Sequence, residues 1–270
     1  MKMDEETGTV SKRDFGEDSV KDVECIIVNN EALAEDMYHM RLDCMIPASI
    51  PGQFVMVRVG ASDDPFLRRP LAIFRHNDSM LELLYKPKGK GTILLSQMKP
   101  GRKISVLGPL GNGFGVPDHG QDIIYIAGGT GLPPMLALSE HIRRGMIFVG
   151  VRSKTELGIL DKLGCLDGDN VMVSTQDGSY GYKGLVTDLV QSQIDFFKRP
   201  FIIYACGPIG MLKATKAIAT GVNARCEISL EERMACGFGV CSGCIVNTCN
   251  GNKRVCRDGP VFDANDVILE

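Results

Sequence analysis

No apolar run in the 270-residue sequence approaches the roughly 18 residues that would span a bilayer as a helix. Charge of one sign is lacking too: 30 Lys and Arg stand against 33 Asp and Glu, so nothing marks the chain as a nucleic-acid binder. The opening residues Met1-Lys2-Met3-Asp4-Glu5-Glu6 lack the apolar segment of a secretory signal, and a cytoplasmic location is expected. Histidine is scarce. His39, His76, His119 and His141 fall in no ligand or triad spacing and are expected to be structural or solvated. Neither a membrane nor a nucleic acid is expected as a partner.

Cysteine, by contrast, is abundant. There are ten, and Cys236, Cys241, Cys244, Cys249 and Cys256 all fall in the last 35 residues. The other five (Cys25, Cys44, Cys165, Cys206, Cys226) are scattered singly, several in apolar stretches such as Phe201–Cys206, and read as small buried hydrophobes. Since nothing directs the chain to an oxidising compartment, a disulfide framework is not expected.

The length suits two domains of roughly 100–200 residues each. Residues 1–21 read as a polar tail. Residues 22–114 carry short strands at Val23–Val28, Tyr38–Cys44, Gln53–Val59, Leu67–Phe74, Met80–Lys86 and Lys103–Leu107, with one helix from Thr92 to Met98. That pattern predicts a small antiparallel barrel or sandwich. Beyond the Gly/Pro-rich hinge Gly108–Gly113 the texture changes. Strands at Asp122–Ala127, Met146–Val151, Val171–Thr175 and Phe201–Ala205 alternate with helices near Pro133–Arg144, Leu157–Leu163, Leu185–Gln191 and Gly210–Ala219. Residues 115–228 therefore read as a parallel α/β domain, closing with a strand at Cys226–Leu230. Residues 229–270 follow with no flexible linker and hold the dense cysteines.

Cys236, Cys241 and Cys244 are spaced C-x4-C-x2-C, and Cys256 follows after eleven intervening residues. This is the spacing of plant-type [2Fe–2S] sites, in which each of two irons takes two thiolates. Gly237, Gly239 and Gly243 let three sulfurs converge while backbone N–H groups point at them. A zinc ribbon would show two close pairs, and only one CxxC is present. Cys249 is surplus; Cys256 is favoured as fourth ligand because Val255–Pro260 supplies a turn after a short strand.

Two loops suit phosphate. Gly128-Gly129-Thr130-Gly131 follows a buried strand and precedes a helix, although Pro133 breaks any G-x-G-x-x-G pattern. Cys206-Gly207-Pro208 ends a later strand, which would put both loops on one sheet edge. In the first domain Arg68-Arg69-Pro70-Leu71-Ala72 lies on a predicted strand; a solvated edge pair is the plain reading of its arginines. Leu84-Tyr85-Lys86, however, leads into Gly89-Lys90-Gly91-Thr92 at a helix start, a second phosphate site that Arg69 can join. A barrel with its own phosphate site, beside a nucleotide domain and an iron–sulfur loop, suggests a flavin between two redox partners.

With these motifs in place, the chain resembles the electron-transfer subunits of class 1B dihydroorotate dehydrogenase, within the ferredoxin-NADP reductase-like superfamily. The resemblance rests on Arg69–Ala72, Leu84–Lys86, Gly91-Thr92, Gly108–Phe114, Ala205–Pro208, Ser229–Cys244 and Val255–Phe262. It implies FAD in an N-terminal β-barrel, held by Arg69, Pro70, Leu71, Ala72, Leu84, Tyr85, Lys86, Gly91 and Thr92. It implies NAD(H) on the α/β domain at Gly128–Gly131 and Cys206–Pro208, and a [2Fe–2S] cluster on Cys236, Cys241, Cys244 and Cys256.

It also implies a partner, an FMN-containing catalytic subunit that oxidises dihydroorotate to orotate in pyrimidine synthesis, in a heterotetramer with two copies of each subunit. Electrons would pass from FMN through the cluster to FAD and then as hydride to NAD+. Such hydride transfer needs aligned rings and no general acid or base. Gly207 would let the nicotinamide approach, with Cys206 and Glu231 nearby, and Arg152 and Lys154 would meet the adenosine end or simply be solvated. Where the family usually carries serine after Arg-Pro-Leu/Ile, this chain has Ala72, leaving only the backbone N–H for that contact. Two other readings stand beside this one. A related subunit of a sulfide dehydrogenase or NADH-dependent ferredoxin:NADP oxidoreductase tends to replace the first cysteine by a carboxylate, against which Cys236 argues. A zinc-stabilised binding module is the third.

Overall fold

The computed structural model describes residues 20–34, 37–60, 64–166 and 168–270. The stretch expected as a polar tail lies outside the described residues except for Val20 and Lys21. Lys21 already begins the first strand.

Six antiparallel strands close into a barrel: β1 (Lys21–Ala34), β2 (Met37–Asp43), β3 (Phe54–Arg58), β4 (Arg69–Asn77), β5 (Met80–Tyr85) and β6 (Lys103–Leu110), in the order β1-β2-β5-β4-β3-β6. Closure through the β6–β1 pairing removes both free edges, which settles barrel over sandwich. The side-chain alternation of β3 separates two cores. Val55 and Val57 join Ile27, Leu42, Leu83 and Val106 inside the barrel, whereas Phe54 and Met56 point out of it. Helix α1 (Lys90–Ser96) contributes Leu95 to the interior.

β1 runs six residues past its expected end at Val28, through Asn29-Asn30-Glu31. The Asn30 amide makes this possible by donating to the carbonyls of Leu95 and Met98, both at 2.9 Å, and accepting from the Tyr85 hydroxyl at 2.8 Å. An inward polar group so satisfied carries no desolvation penalty to break the strand. Two cysteines expected as thiols, Cys25 and Cys44, are instead joined by a disulfide. The β1–β2 register sets Ile26 opposite Asp43 and so brings their Cα atoms to 4.7 Å.

The second domain alternates strand and helix: β7 (Asp122–Gly128), α2 (Leu132–Ile142), β8 (Met146–Val151), α3 (Gly158–Lys162), β9 (Val171–Thr175), β10 (Tyr182–Lys183), α4 (Val186–Gln193), β11 (Phe201–Cys206), α5 (Ile209–Gly221) and β12 (Arg225–Ser229). The strands are parallel, and those in the middle of the sheet bury side chains on both faces, with Ile124, Tyr125, Phe148, Ile203 and Tyr204 wholly enclosed. The C-terminal region adds the hairpin β13 (Ile245–Thr248) and β14 (Gly251–Arg254), one turn of helix α6 (Val255–Asp258), and β15 (Val261–Asp263). β15 pairs antiparallel with β12, giving the sheet order β10-β9-β8-β7-β11-β12-β15. The strand expected to be last is thus next to last, because the chain returns from the cysteine loop to cover its edge. A three-residue strand is too short to announce itself by alternation.

The barrel and the sheet share a core. Met37, Phe74 and Leu84 from the barrel pack with Leu132, Leu136, Tyr125 and Tyr204, and Phe114 meets Tyr204 edge-on at 5.5 Å. At the rim, Arg75 of β4 forms two hydrogen bonds to Glu140 of α2, at 2.7 and 2.6 Å.

Candidate cofactor sites and the cysteine loop

On the barrel, the two adjacent arginines part company. Arg68 pairs with Asp22 at 2.7 Å and donates to the Met56 carbonyl at 3.3 Å, so it is spent on an ion pair on the barrel wall, which has no free edge. Arg69 turns the other way. It donates to the Leu67 carbonyl, and its guanidinium lies over the first turn of α1, where a side chain at Gly91 would fall on it. The start of β4 and the start of α1 therefore meet, and the antiparallel register aligns Pro70 with Met56, Leu71 with Val55 and Ala72 with Phe54.

Thr92 closes the preceding loop by accepting from the N–H groups of Lys88 at 2.9 Å and Gly89 at 3.2 Å. Leu84 is buried in the core shared with the sheet, and the Tyr85 ring is buried inside the barrel with its hydroxyl bound to Asn30. Ala72 is half-buried and Pro70 exposed.

On the sheet, β7 and β11 are neighbours, with Ala127 opposite Cys206. The loops that follow these strands consequently touch. Gly131 lies so close to the Cys206 carbonyl that a Cβ there would overlap it, while Gly128 faces Pro208 and Met211. Pro133 and Pro134 occupy the first turn of α2, where a proline's missing N–H costs no helical hydrogen bond. Cys206 is enclosed, and burial pushes its thiol up to about 12, with Glu231 adding to the effect and a hydrogen bond to Ser229 opposing it. It is a neutral thiol at neutral pH, unsuited to nucleophilic work. Arg152 is engaged by Glu156 at 2.5 Å, and Lys154 stands 5.7 Å from the Tyr180 ring centre.

The cysteine loop leaves β12 directly. Cys241 N–H donates to the Cys236 sulfur at 3.4 Å, Gly243 N–H to the Cys241 sulfur at 3.5 Å, and Cys256 N–H to the Cys244 sulfur at 3.4 Å. Burial works against ionisation of Cys236, but the N–H groups of Cys241, Phe238 and Val240 with the Cys241 thiol outweigh it and hold the group down at about 6. Cys256 is pushed up to about 12 by burial and by the adjoining sulfurs of Cys244 and Cys236. Among the described residues no three His, Cys, Asp or Glu side chains close on a single ion. The thiols run instead as two neighbouring pairs, Cys236 with Cys241 and Cys244 with Cys256.

The hairpin explains how Cys256 reaches this group and Cys249 does not. Ile245 pairs with Arg254 and Thr248 with Gly251, so Cys244 and Val255 meet at the open end, where Val255 N–H donates to the Cys244 carbonyl at 2.9 Å. Cys249 sits at the closed end, about 16 Å further along at roughly 3.3 Å per residue. Its thiol donates to the Asn265 carbonyl instead.

Several supports were not anticipated from sequence. Arg254 donates to the Gly239 carbonyl at 2.8 Å while its backbone N–H donates to Asp258 at 2.8 Å. Asn112, in the hinge between the domains, donates through its backbone N–H to Gly259 at 2.5 Å and through its side chain to the Asp258 carbonyl at 3.0 Å. The i,i+4 spacing of Arg254 and Asp258 was a usable signal; the contacts of Asn112 span the chain and had none.

A closed antiparallel barrel, a parallel sheet with two touching loops on one edge, and a thiol loop docked on both define an oxidoreductase of the ferredoxin-reductase type. Residues 231–268 match the iron–sulfur cluster binding domain of dihydroorotate dehydrogenase B, and residues 125–217 match the oxidoreductase NAD-binding domain. The chain is 37% identical over 247 residues to the dihydroorotate dehydrogenase B (NAD(+)) electron transfer subunit of Caldanaerobacter subterraneus subsp. tengcongensis, covering 90% of this chain and 97% of that one. It is 38% identical over 256 residues to the corresponding subunit of Bacillus pumilus, covering 90% and 96%.

Among solved structures, an NADH-dependent reduced ferredoxin-NADP oxidoreductase, studied for flavin-based electron bifurcation, superposes with a TM-score of 0.81 at 28% identity, covering 91% of this chain and 90% of that one. The chain belongs to the family of dihydroorotate dehydrogenase B (NAD+) electron transfer subunits. Both relatives are named as subunits, each one part of a larger enzyme. Among the described residues no helix is long and apolar enough to cross a membrane.

Proposed function

We propose that this chain carries electrons between an FMN-containing dihydroorotate dehydrogenase catalytic subunit and NAD+, in a cytoplasmic assembly with two copies of each subunit. The observation that carries the reading is the cysteine loop: it leaves the NAD-type sheet at β12, rests on barrel strand β3 through Gly237 and Met56, and returns to the sheet as β15. One loop thus touches both domains that a flavin–nicotinamide pair would occupy.

Arg69, with the α1 turn at Gly91 and Thr92, suits the FAD pyrophosphate, and the β4 main chain from Pro70 to Ala72 suits the flavin ring. Because Tyr85 is committed to the barrel interior, the stretch Leu84–Lys86 would serve through its backbone. Ala72 brings no hydroxyl to the flavin edge. Gly128, Gly129, Thr130 and Gly131 offer backbone N–H groups to the NAD pyrophosphate, and Cys206, Gly207 and Pro208 shape the floor under the nicotinamide. Cys236, Cys241, Cys244 and Cys256 fit a [2Fe–2S] cluster: N–H groups already point at three of the four sulfurs, as a cluster with anionic sulfurs requires. When bound, these groups supply all the redox chemistry, hydride exchange between nicotinamide and flavin and one-electron steps at the cluster. The protein's part is to hold their spacing and exclude water.

The test is purification from the native source. An FMN protein that comes with this chain and shows dihydroorotate:NAD+ activity supports the reading. The likeness to the ferredoxin-NADP oxidoreductase favours one second reading, an NADH-side subunit of such an enzyme. A co-purifying partner with ferredoxin:NADP activity and none toward dihydroorotate would select it.

A further inference from the structure

Met56 belongs to the barrel by chain and to the cysteine region by packing. It sits in the middle of β3, fully buried, yet its side chain leaves the barrel and joins the core that contains Cys244, Val255 and Cys256. Its neighbours Val55 and Val57 point inward, so the alternation of a single strand divides the two environments. The thioether ends against the cysteine loop. Gly237, the residue after Cys236, has φ +82°, and a Cβ built on it would stand 2.5 Å from Met56 Cγ and 2.9 Å from Sδ. The loop therefore lies on this side chain with no space between them.

The same residue is tied to the flavin side. Met56 is the register partner of Pro70, one strand spacing (about 4.8 Å) from the stretch Arg69–Ala72. Its carbonyl accepts from Arg68, which Asp22 anchors in turn. Phe54, two residues earlier on the same outward face, meets Gly111, while Gly111 also abuts Gly259 and Pro260 just past Cys256. The two apolar outward side chains of β3 thus act as spacers under the thiol region, and Met56 is the one that reaches the loop beside Cys236.

We propose that Met56 is a positioning residue that sets the separation between the iron–sulfur loop and the flavin-binding strand, so that its length governs electron exchange between the two groups. The proposal rests on the function proposed above. It asks nothing of the sulfur as a ligand; the side chain acts by filling the gap with a fixed length of packed atoms. An unbranched thioether of this length suits such a gap because it adapts to the surface it meets. Truncation would remove the packed support beneath Gly237 and leave the loop free to loosen, and electron exchange slows as the two groups lose their fixed spacing.

The experiment uses the holoprotein with Met56→Leu, Met56→Val and Met56→Ala. NADH is mixed anaerobically with each, flavin bleaching and cluster reduction are followed as separate phases, and rates are expressed per loaded cluster. Flavin bleaching should keep its wild-type rate throughout. Cluster reduction should be near normal in the leucine variant and fall as the side chain shortens, by several-fold in alanine. The cluster potential should not move, and hydrogen exchange at the N–H groups of Cys241 and Gly243, read without turnover, should quicken in the same order. A cluster-reduction rate equal across the series would overturn the role of Met56. A wild-type preparation that binds neither flavin nor iron would overturn the function on which it rests, and the two failures are distinct.

Discussion

Gly131 lies against the carbonyl of Cys206, and no atom larger than hydrogen fits between them. The contact joins the loops after β7 and β11 into one surface at the sheet edge. It also explains why a glycine stands here although the fingerprint pattern is broken at Pro133.

Gly131→Ala is therefore expected to force the two loops apart. Overpacking of this kind costs typically 1–3 kcal/mol of stability, and the displaced loops should bind NADH more weakly, by about fivefold or more. Fluorescence titration with NADH checks this, and the flavin content should be unchanged because the barrel is not touched.

The cysteine loop gives a discriminating pair. Cys256→Ser removes a sulfur buried beside Cys244 and should bleach the visible cluster spectrum. Cys249→Ser alters an exposed thiol at the closed end of the β13–β14 hairpin and should leave the spectrum intact. Iron and acid-labile sulfide assays on the two variants read the difference.

Arg75 and Glu140 bridge the barrel and the sheet, each side chain about a third exposed. Solvent screening limits such a pair to less than about 1 kcal/mol. Arg75→Met should thus lower the melting temperature by only about 2–4 °C at most. A double-mutant cycle with Glu140→Gln should return a coupling energy below that limit and shrinking with added salt.

Acid should act through Glu82. Its hydrogen bond to His39 at 2.8 Å holds the carboxyl below the usual glutamate value against an opposing burial effect, with Arg75 and Arg41 also favouring the charged form. A depressed folded-state value means the stabilisation is present above the unfolded value and is lost as pH falls through the folded one. Glu82→Gln should therefore flatten the stability profile below about pH 4.3, measured by denaturant unfolding at several pH values.

Much of this architecture was legible in the sequence, for physical reasons that differ by region. The buried strands at Met146–Val151 and Val171–Thr175 are short apolar runs between turn signals, and their bounds agree with the structure. The cysteine spacing is a local constraint, so it announced a cluster loop without knowledge of the fold. What stayed hidden depends on pairing across the chain. β1 continues through Asn30 because distant carbonyls satisfy that amide, and β15 forms only because β12 has a bare edge. The disulfide between Cys25 and Cys44 follows from strand register, which two isolated cysteines do not reveal. Likewise, Arg68 and Arg69 look alike in sequence, and only Asp22 on one side and α1 on the other distinguish the ion-paired arginine from the residue facing the candidate flavin site.

The central claim, that the cysteine loop and the barrel hold redox groups in communication with NAD(H), is tested most directly by anaerobic titration of the purified chain with NADH under combined visible and electron-paramagnetic-resonance detection. The account predicts flavin bleaching followed by the signal of a reduced [2Fe–2S] cluster in the same sample. Zinc in place of iron, or a flavin that bleaches while the cluster stays oxidised, would contradict it.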